Sequence, residues 1–485
     1  MKPRWFKKFR PYQYEAIAAI RMAFASGARL VAMNAPTGAG KSLIAVMSLP
    51  SNPDCIVACS TKQLQSQYAK SFNIPMVMGK QNYRCGRFMV TVDISPCGQG
   101  RPEPGCSCRY FEIRRACEVA PIACVNHALL AVEHFHHRRI IIDEAHKFGD
   151  NVISALTVLL SLNDLQFVGY PKQSREWKLQ AATTAAKMRN MSSDAISSAN
   201  WARIERSLLS LPEDFIIHRV NDTYALIPAN AHLPINKMLS GKSVLAMSAT
   251  ISRSLLREEW GIEPDVYLEI PSPIQASRRP IFVIPIVSLR KESDISDWQR
   301  IVEFIAMVAR QKAGRGLIHV TSIGQVHIVK SLICSYDDEL SKRVIAAYGD
   351  SRAEALERYK TTPGSILLSP SFREGLDLAG DLGVWQVIAK VPWPDWAAPL
   401  VAQMSPQQYG AKAASSVIQA CGRTTRKEDD FSTTYIPDAS MLYLLDEHID
   451  SFPRWFLESV RVLEREPFTR QARAVSEKIN KHLRR

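Results

Sequence analysis

The segment Ala35-Pro36-Thr37-Gly38-Ala39-Gly40-Lys41-Ser42 sets two glycines, a lysine and a hydroxyl after a strand-like run and before a helical pattern. In that context the backbone N–H groups of the turn that follows Pro36 cradle phosphate oxygens at a helix N-terminus. Thr37, Gly38, Ala39 and Gly40 form the cradle, Lys41 reaches the terminal phosphates, and Ser42 holds magnesium. Ala35 stands where the general pattern has its first glycine. Further on, Ile140-Ile141-Ile142 runs into Asp143-Glu144-Ala145-His146. Two carboxylates then lie at the carboxyl end of a buried strand, where open α/β sheets bind ligands. Asp143 suits the magnesium shell, and Glu144 suits orienting and deprotonating an attacking water. His146 is either a coupling residue or a satisfied structural histidine.

A third constellation is Gln419-Ala420-Cys421-Gly422-Arg423-Thr424-Thr425-Arg426. Read as helix, it puts Arg423 and Arg426 on one face, from which two guanidinium groups can stabilise charge on a phosphate held by another domain. Standing alone it is a solvated basic helix end. A fourth is the cysteines: Cys85, Cys97, Cys106, Cys108, Cys117 and Cys124 fall within residues 85–124, leaving Cys55, Cys59, Cys334 and Cys421 elsewhere. No secretion signal is expected from the basic start, so reduced thiols or metal ligands are favoured over disulfides. Four thiolates suit tetrahedral zinc as well as an iron–sulfur cluster.

These residues need elements to hold them. At 485 residues the chain exceeds what one hydrophobic core supports, so two large domains are expected. The runs 29–35, 55–61, 122–126 and 139–144 are rich in Val, Ile and Ala without polar alternation, as strands covered on both faces of a parallel sheet should be. The stretch 85–117 has no periodicity and reads as an insert; 151–235 has longer helical patterns and reads as a second. The run 244–250 returns to strand, and after a linker at 271–280 a further strand series implies a second parallel α/β domain. The formal charge of +14 suits a polyanionic partner, with a solvated basic surface as the plain alternative. No run is long and apolar enough for a membrane span, which makes a cytoplasmic protein the expectation.

In order along the chain, Arg10-Pro11-Tyr12-Gln13, the 35–42 loop, 60–67, Asp143 to His146, Ser248-Ala249-Thr250, 369–380 and 419–426 resemble superfamily-two helicases of the XPD/DinG type. Gly79-Lys80-Gln81-Asn82-Tyr83-Arg84-Cys85 looks like that family's lead-in to its iron–sulfur domain, and 108–130 like its exit. The compact size is most similar to bacterial or phage DinG-like members. The resemblance implies two RecA-like motor domains, the first interrupted by an iron–sulfur insert and a short helical Arch-like insert. The corresponding division is 1–84, 118–150 and 236–275 for motor domain 1, 85–117 for the cluster, 151–235 for the Arch and 276–485 for motor domain 2. It implies ATP and Mg²⁺, and a 4Fe-4S cluster on Cys85, Cys97, Cys106 and Cys108, with Cys117 as alternate ligand because Cys106 and Cys108 are unusually close. Gln13 would read the adenine; Asp377, with Glu374 and Gly375, would line the cleft between the domains. Ser248 and Thr250, with His146, would couple nucleotide state to movement, and Gln419 would join the catalytic set. Nucleic-acid contacts are expected at Thr61, Gln67, Lys80, Tyr83 and Arg84, with the aromatics Trp393 and Trp396 as further candidates. The implied activity is ATP-dependent unwinding of DNA from a single-stranded tail, 5′→3′, in a bacterial or phage-infected cell. The rivals are an RNA-directed or protein-remodelling ATPase and a non-enzymatic DNA-binding protein that keeps the fold.

Overall fold

The computed structural model describes residues 8–99, 104–370, 378 and 380–484. In the first lobe the strands are β1 (Leu30–Asn34), β2 (Cys55–Cys59), β3 (Ile122–Asn126) and β4 (Arg139–Asp143). Three short strands follow, β5 (Val158–Ser161), β6 (Phe215–Val220) and β7 (Thr223–Pro228), and then β8 (Ser243–Ser248) and β9 (Val266–Glu269). The main sheet runs β3-β2-β4-β8-β1-β9, parallel throughout. β1 and β2 are buried along their whole length, which is why their sequences carry no polar alternation. Because β4, β8 and β1 are neighbours, the loops leaving their carboxyl ends open side by side. These are residues 143–146, 248–250 and 35–40.

The second lobe holds β10 (Ile281–Val287), β11 (Gly316–His319), β12 (Val344–Ala346), β13 (Ile366–Ser369), β14 (Trp385–Ile388), β15 (Thr433–Asp438) and β16 (Val460–Val462). Their order is β12-β13-β11-β14-β15-β10-β16, again all parallel. Two RecA-like parallel-sheet domains are thus present, as the strand series predicts. The edge strand β9, with no fully buried position, carries too weak an apolar signal to be read from sequence.

The insert after β4 is mixed and not purely helical. Helices Arg175–Met191 and Ala195–Ser210 pack on a three-stranded antiparallel sheet, β5-β7-β6. The β-branched and aromatic runs Phe215–Val220 and Thr223–Pro228 flank a two-residue turn at Asn221-Asp222, with Asn221 at φ +52°. That is a hairpin signal which the longer helical patterns obscure. Between helix α3, the chain's third (Lys62–Phe72), and β3, the Cys-rich segment forms three short 3-10 turns, followed by helix α4 (Arg109–Val119). Among the described residues no helix is long and apolar enough to cross a membrane.

Candidate nucleotide site and metal centre

The loop after β1 turns through Gly38 (φ +82°) and Gly40 (φ +81°), a conformation that a side chain would strain. Crowding adds to this. A Cβ on Gly38 would stand 2.2 Å from the backbone oxygen of Arg426 in the other lobe, and one on Gly40 2.6 Å from Nε2 of Gln13. The loop is therefore clasped from both sides. Gln13 donates from Nε2 to the Ala39 carbonyl (2.9 Å), Arg10 donates to the Gly38 carbonyl (3.0 Å) and pairs with Glu428 across the lobes (3.0 Å). Lys41 opens the following helix and donates to the Ala35 carbonyl (3.3 Å).

Asp143 ends β4 almost fully buried. Its carboxylate accepts from the Glu144 N–H (2.8 Å) and from the Tyr68 hydroxyl (2.9 Å). Burial, then the charge of Glu144, lifts the Asp143 carboxyl to about 6 despite Lys41 nearby. Burial also pushes on Glu144, but the positive charges of Lys41, Lys147 and Arg423 outweigh it and hold this carboxyl below its usual value. Two adjacent carboxylates thus have separated proton affinities, with Glu144 the one kept as a base. Glu144 itself adopts φ +55°, which bends the chain as it leaves the strand.

His146 faces Ser248 and Glu144 with Nδ1 (2.7 and 3.3 Å), while the Gln419 amide donates to Nε2 (2.5 Å). That arrangement places the ring proton on Nδ1. Burial lowers the imidazole to about 4, so the ring is neutral near pH 7. The circuit continues from Ser248 to Thr250 (3.3 Å), from Ser415 to Thr250 (2.8 Å) and from Gln419 back to Ser415 (3.4 Å). It closes across the two lobes.

Arg423 and Arg426 are not on a helix. The helix Pro406–Cys421 is capped by Gly422, and the carboxylate of Asp430 accepts from the N–H groups of Arg426 (2.6 Å) and Lys427 (2.7 Å). Those bonds draw the chain into a turn. Both residues nonetheless arrive at the nucleotide loop: Arg426 by its backbone against Gly38, and Arg423 close enough to influence Glu144. Asp377, Glu374 and Gly375 lie outside the described residues.

Cys85, Cys97, Cys106 and Cys108 converge, with all four sulfurs within 4.8 Å of one another. Cys85 lies 3.8 Å from Cys97, 3.6 Å from Cys106 and 3.5 Å from Cys108, and Cys106 lies 3.2 Å from Cys108. Four clustered, unbridged thiols are a soft donor set suited to zinc or iron. Burial raises Cys85, but the N–H groups of Phe88 and Arg87 and the neighbouring thiols bring it down to about 6, towards the thiolate a metal requires. Cys117 is not a member. It sits on α4, nine residues beyond Cys108, where helical rise of ~1.5 Å per residue carries it away from the four converging sulfurs. Cys124, in β3, packs against Cys59 at 3.6 Å.

Of the expected nucleic-acid contacts, Thr61, Gln67 and Arg84 are exposed. Thr61 also caps α3 by accepting from the Leu64 N–H (3.2 Å). Lys80 and Tyr83 are spent within the protein. Lys80 donates to the Gly98 carbonyl (3.0 Å) and pairs with Glu133 (2.9 Å). Tyr83 accepts from the Met78 N–H (3.1 Å) and packs edge-on to Tyr110. They tie the Cys-rich segment to the motor core. Trp393 stacks on Tyr409 at 5.2 Å, and Trp396 packs tilted against the same ring at 4.8 Å. Three site residues were missed from sequence: Tyr68, Ser415 and Lys412. Ser415 and Lys412 lie four and seven residues before Gln419, within two turns of it on its helix, a spacing that was legible; nothing local marked Tyr68.

Residues 6–172 match the family model described as type III restriction enzyme, res subunit, and residues 305–459 match the helicase C-terminal domain. No curated protein matches the chain in sequence. Among solved structures, one titled XPD helicase superposes with a TM-score of 0.62 at 16% identity, covering 94% of this chain and 100% of that one. The S. tokodaii Xpd4 structure superposes with 0.61 at 14% identity, again covering 94% and 100%.

Proposed function

We propose that the chain is an ATP-driven helicase of the superfamily-two, XPD/DinG type, which travels 5′→3′ on single-stranded DNA and opens the duplex at its Cys-rich segment. The observation that carries the motor reading is the hydrogen-bonded circuit from Glu144 through His146, Ser248, Thr250, Ser415 and Gln419, which links the hydrolytic carboxylate of one lobe to the other.

In this reading Gln13 recognises the adenine, and Lys41 with the N–H groups of the 36–40 loop holds the phosphates. Ser42 and Asp143 would hold Mg²⁺, which neutralises charge on the β- and γ-phosphates when bound. Glu144, kept ionised by its cationic neighbours, takes a proton from the water that attacks the γ-phosphorus as the bond to ADP breaks. Arg423 and Arg426 stabilise the charge that develops. Loss of the γ-phosphate removes the reason for Gln419 and Ser415 to stay on His146 and Thr250, and the lobes part. Thr61, Gln67 and Arg84 grip the strand. Arg206 of the helix Ala195–Ser210 donates to Gln99 of the Cys-rich segment (2.9 Å to its carbonyl, 2.7 Å to its side chain), which supports a strand enclosed between the two inserts.

The four cysteines we assign to a 4Fe-4S cluster, on the likeness to XPD/DinG helicases. The sulfur spacing favours a second reading. A single tetrahedral zinc with bonds of ~2.3 Å sets its thiolates about 3.8 Å apart, whereas a four-iron cube spreads them wider.

Strand displacement on duplexes with a 5′ or a 3′ overhang, in DNA and in RNA, tests the function. We expect wild type to open 5′-tailed DNA and Glu144→Gln to lose at least about a hundredfold in rate, the scale of general-base catalysis. Opening of 3′-tailed substrates alone, preference for RNA, or unimpaired Glu144→Gln would each overturn the proposal.

A further inference from the structure

We propose that Tyr68 is a positioning residue for the metal of the nucleotide site, orienting the Asp143 carboxylate that would help to hold it. The inference rests on the ATP-site reading above and extends it to a residue that no part of the nucleotide-binding pattern contains.

Tyr68 projects from α3 and is 1% exposed. Its hydroxyl lies 2.9 Å from Oδ2 of Asp143. A phenol has one proton to give, and an ionised carboxylate can only accept, so that proton goes to Asp143.

The phenol and the Glu144 N–H occupy one lone pair on each Asp143 oxygen (2.9 and 2.8 Å), which fixes the carboxylate plane and leaves the remaining lone pairs for the metal shell. Mg²⁺ demands near-ideal octahedral geometry, so an orienter of its carboxylate partner sets affinity for the metal more than affinity for the nucleotide.

Tyr68→Phe removes the hydroxyl and keeps the ring, which packs on Phe72 at 5.8 Å between centroids. The measurement is binding of a fluorescent, non-hydrolysable ATP analogue with EDTA and with Mn²⁺, alongside Mn²⁺ binding followed by electron paramagnetic resonance. In wild type the metal should tighten analogue binding. In Tyr68→Phe we expect that tightening to fall at least about tenfold, the effect of losing a hydrogen bond to a charged group, with binding in EDTA unchanged. Tyr68→Leu, compared at equal folded fraction by thermal melting, should do the same. Equal or greater tightening in a folded Tyr68→Phe protein, or an equal loss in EDTA, overturns the inference. A wild type whose analogue binding does not respond to metal overturns the ATP-site reading itself, and the inference with it.

Discussion

Burial keeps individual groups in one protonation state, and His319 shows how. It ends β11 in the second lobe, donates from Nε2 to Gln386 (3.0 Å) and is held to about 4, chiefly by burial and further by the positive charge of Arg423. Its folded value lies below the ordinary ~6.5 of an unfolded histidine. The stability it contributes is therefore complete above pH ~6.5 and lost as the pH falls from there towards about 4. His319→Gln, which cannot take up that proton, should be less stable than wild type at neutral pH. The gap in denaturation free energy should narrow by up to about 1.4 kcal/mol per pH unit below 6.5. A constant gap between pH 7 and 4.5 would mean that the ring is not held neutral. At this scale the sequence was most informative where chemistry is local: Lys41, Asp143 and Glu144 could be assigned from residue type and context. A basic or aromatic residue beside a cysteine looks the same in sequence whether it meets nucleic acid or, as Lys80 and Tyr83 do in this fold, Glu133 and Tyr110.

At the scale of elements, the Cys-rich segment up to Cys108 contains, among the described residues, only three single-turn 3-10 helices, and it is anchored by Lys80 to Gly98 and Glu133 and by Arg206 to Gln99. Metal binding should therefore supply much of its folding free energy. Purified protein is expected to carry iron and inorganic sulfide, with the broad visible absorption of a cluster. Cys97→Ser should lose the metal, make residues 85–108 the first site of proteolysis, and leave basal ATP hydrolysis within about threefold, because the hydrolytic residues lie on other elements. Zinc without iron would replace the cluster assignment by the second reading. The spacing of the cysteines marked this element in the sequence. Which four converge was not decided by spacing, since Cys117 lies near enough along the chain but on a helix that carries its thiol away from the four converging sulfurs.

Across the whole molecule, one helix carries the traffic between lobes. Along Pro406–Cys421, Lys412, Ser415 and Gln419 share a face and meet, in turn, Asp150 and Glu259 (2.8 and 2.7 Å), Thr250 (2.8 Å) and His146 (2.5 Å). Ser405 adds a bond to Glu258 (2.7 Å), and Trp455 one to Asn34 (2.9 Å). Ser415→Ala cuts one rung without touching the phosphate loop or the carboxylates. We expect ATP hydrolysis within about twofold of wild type and base pairs opened per ATP down about fivefold, the range for one neutral hydrogen bond. Parallel loss of both activities would show that the rung serves hydrolysis and not coupling. The residue types and their order along the chain were enough to establish two parallel α/β lobes and a phosphate loop, because strand burial and phosphate binding are governed by local pattern and backbone geometry. The partners of Ser415, Lys412 and Tyr68, the turn that carries Arg423 and Arg426, and the membership of the metal centre emerged only in three dimensions. Each depends on contacts between segments far apart in the chain, whose relative placement is fixed by packing.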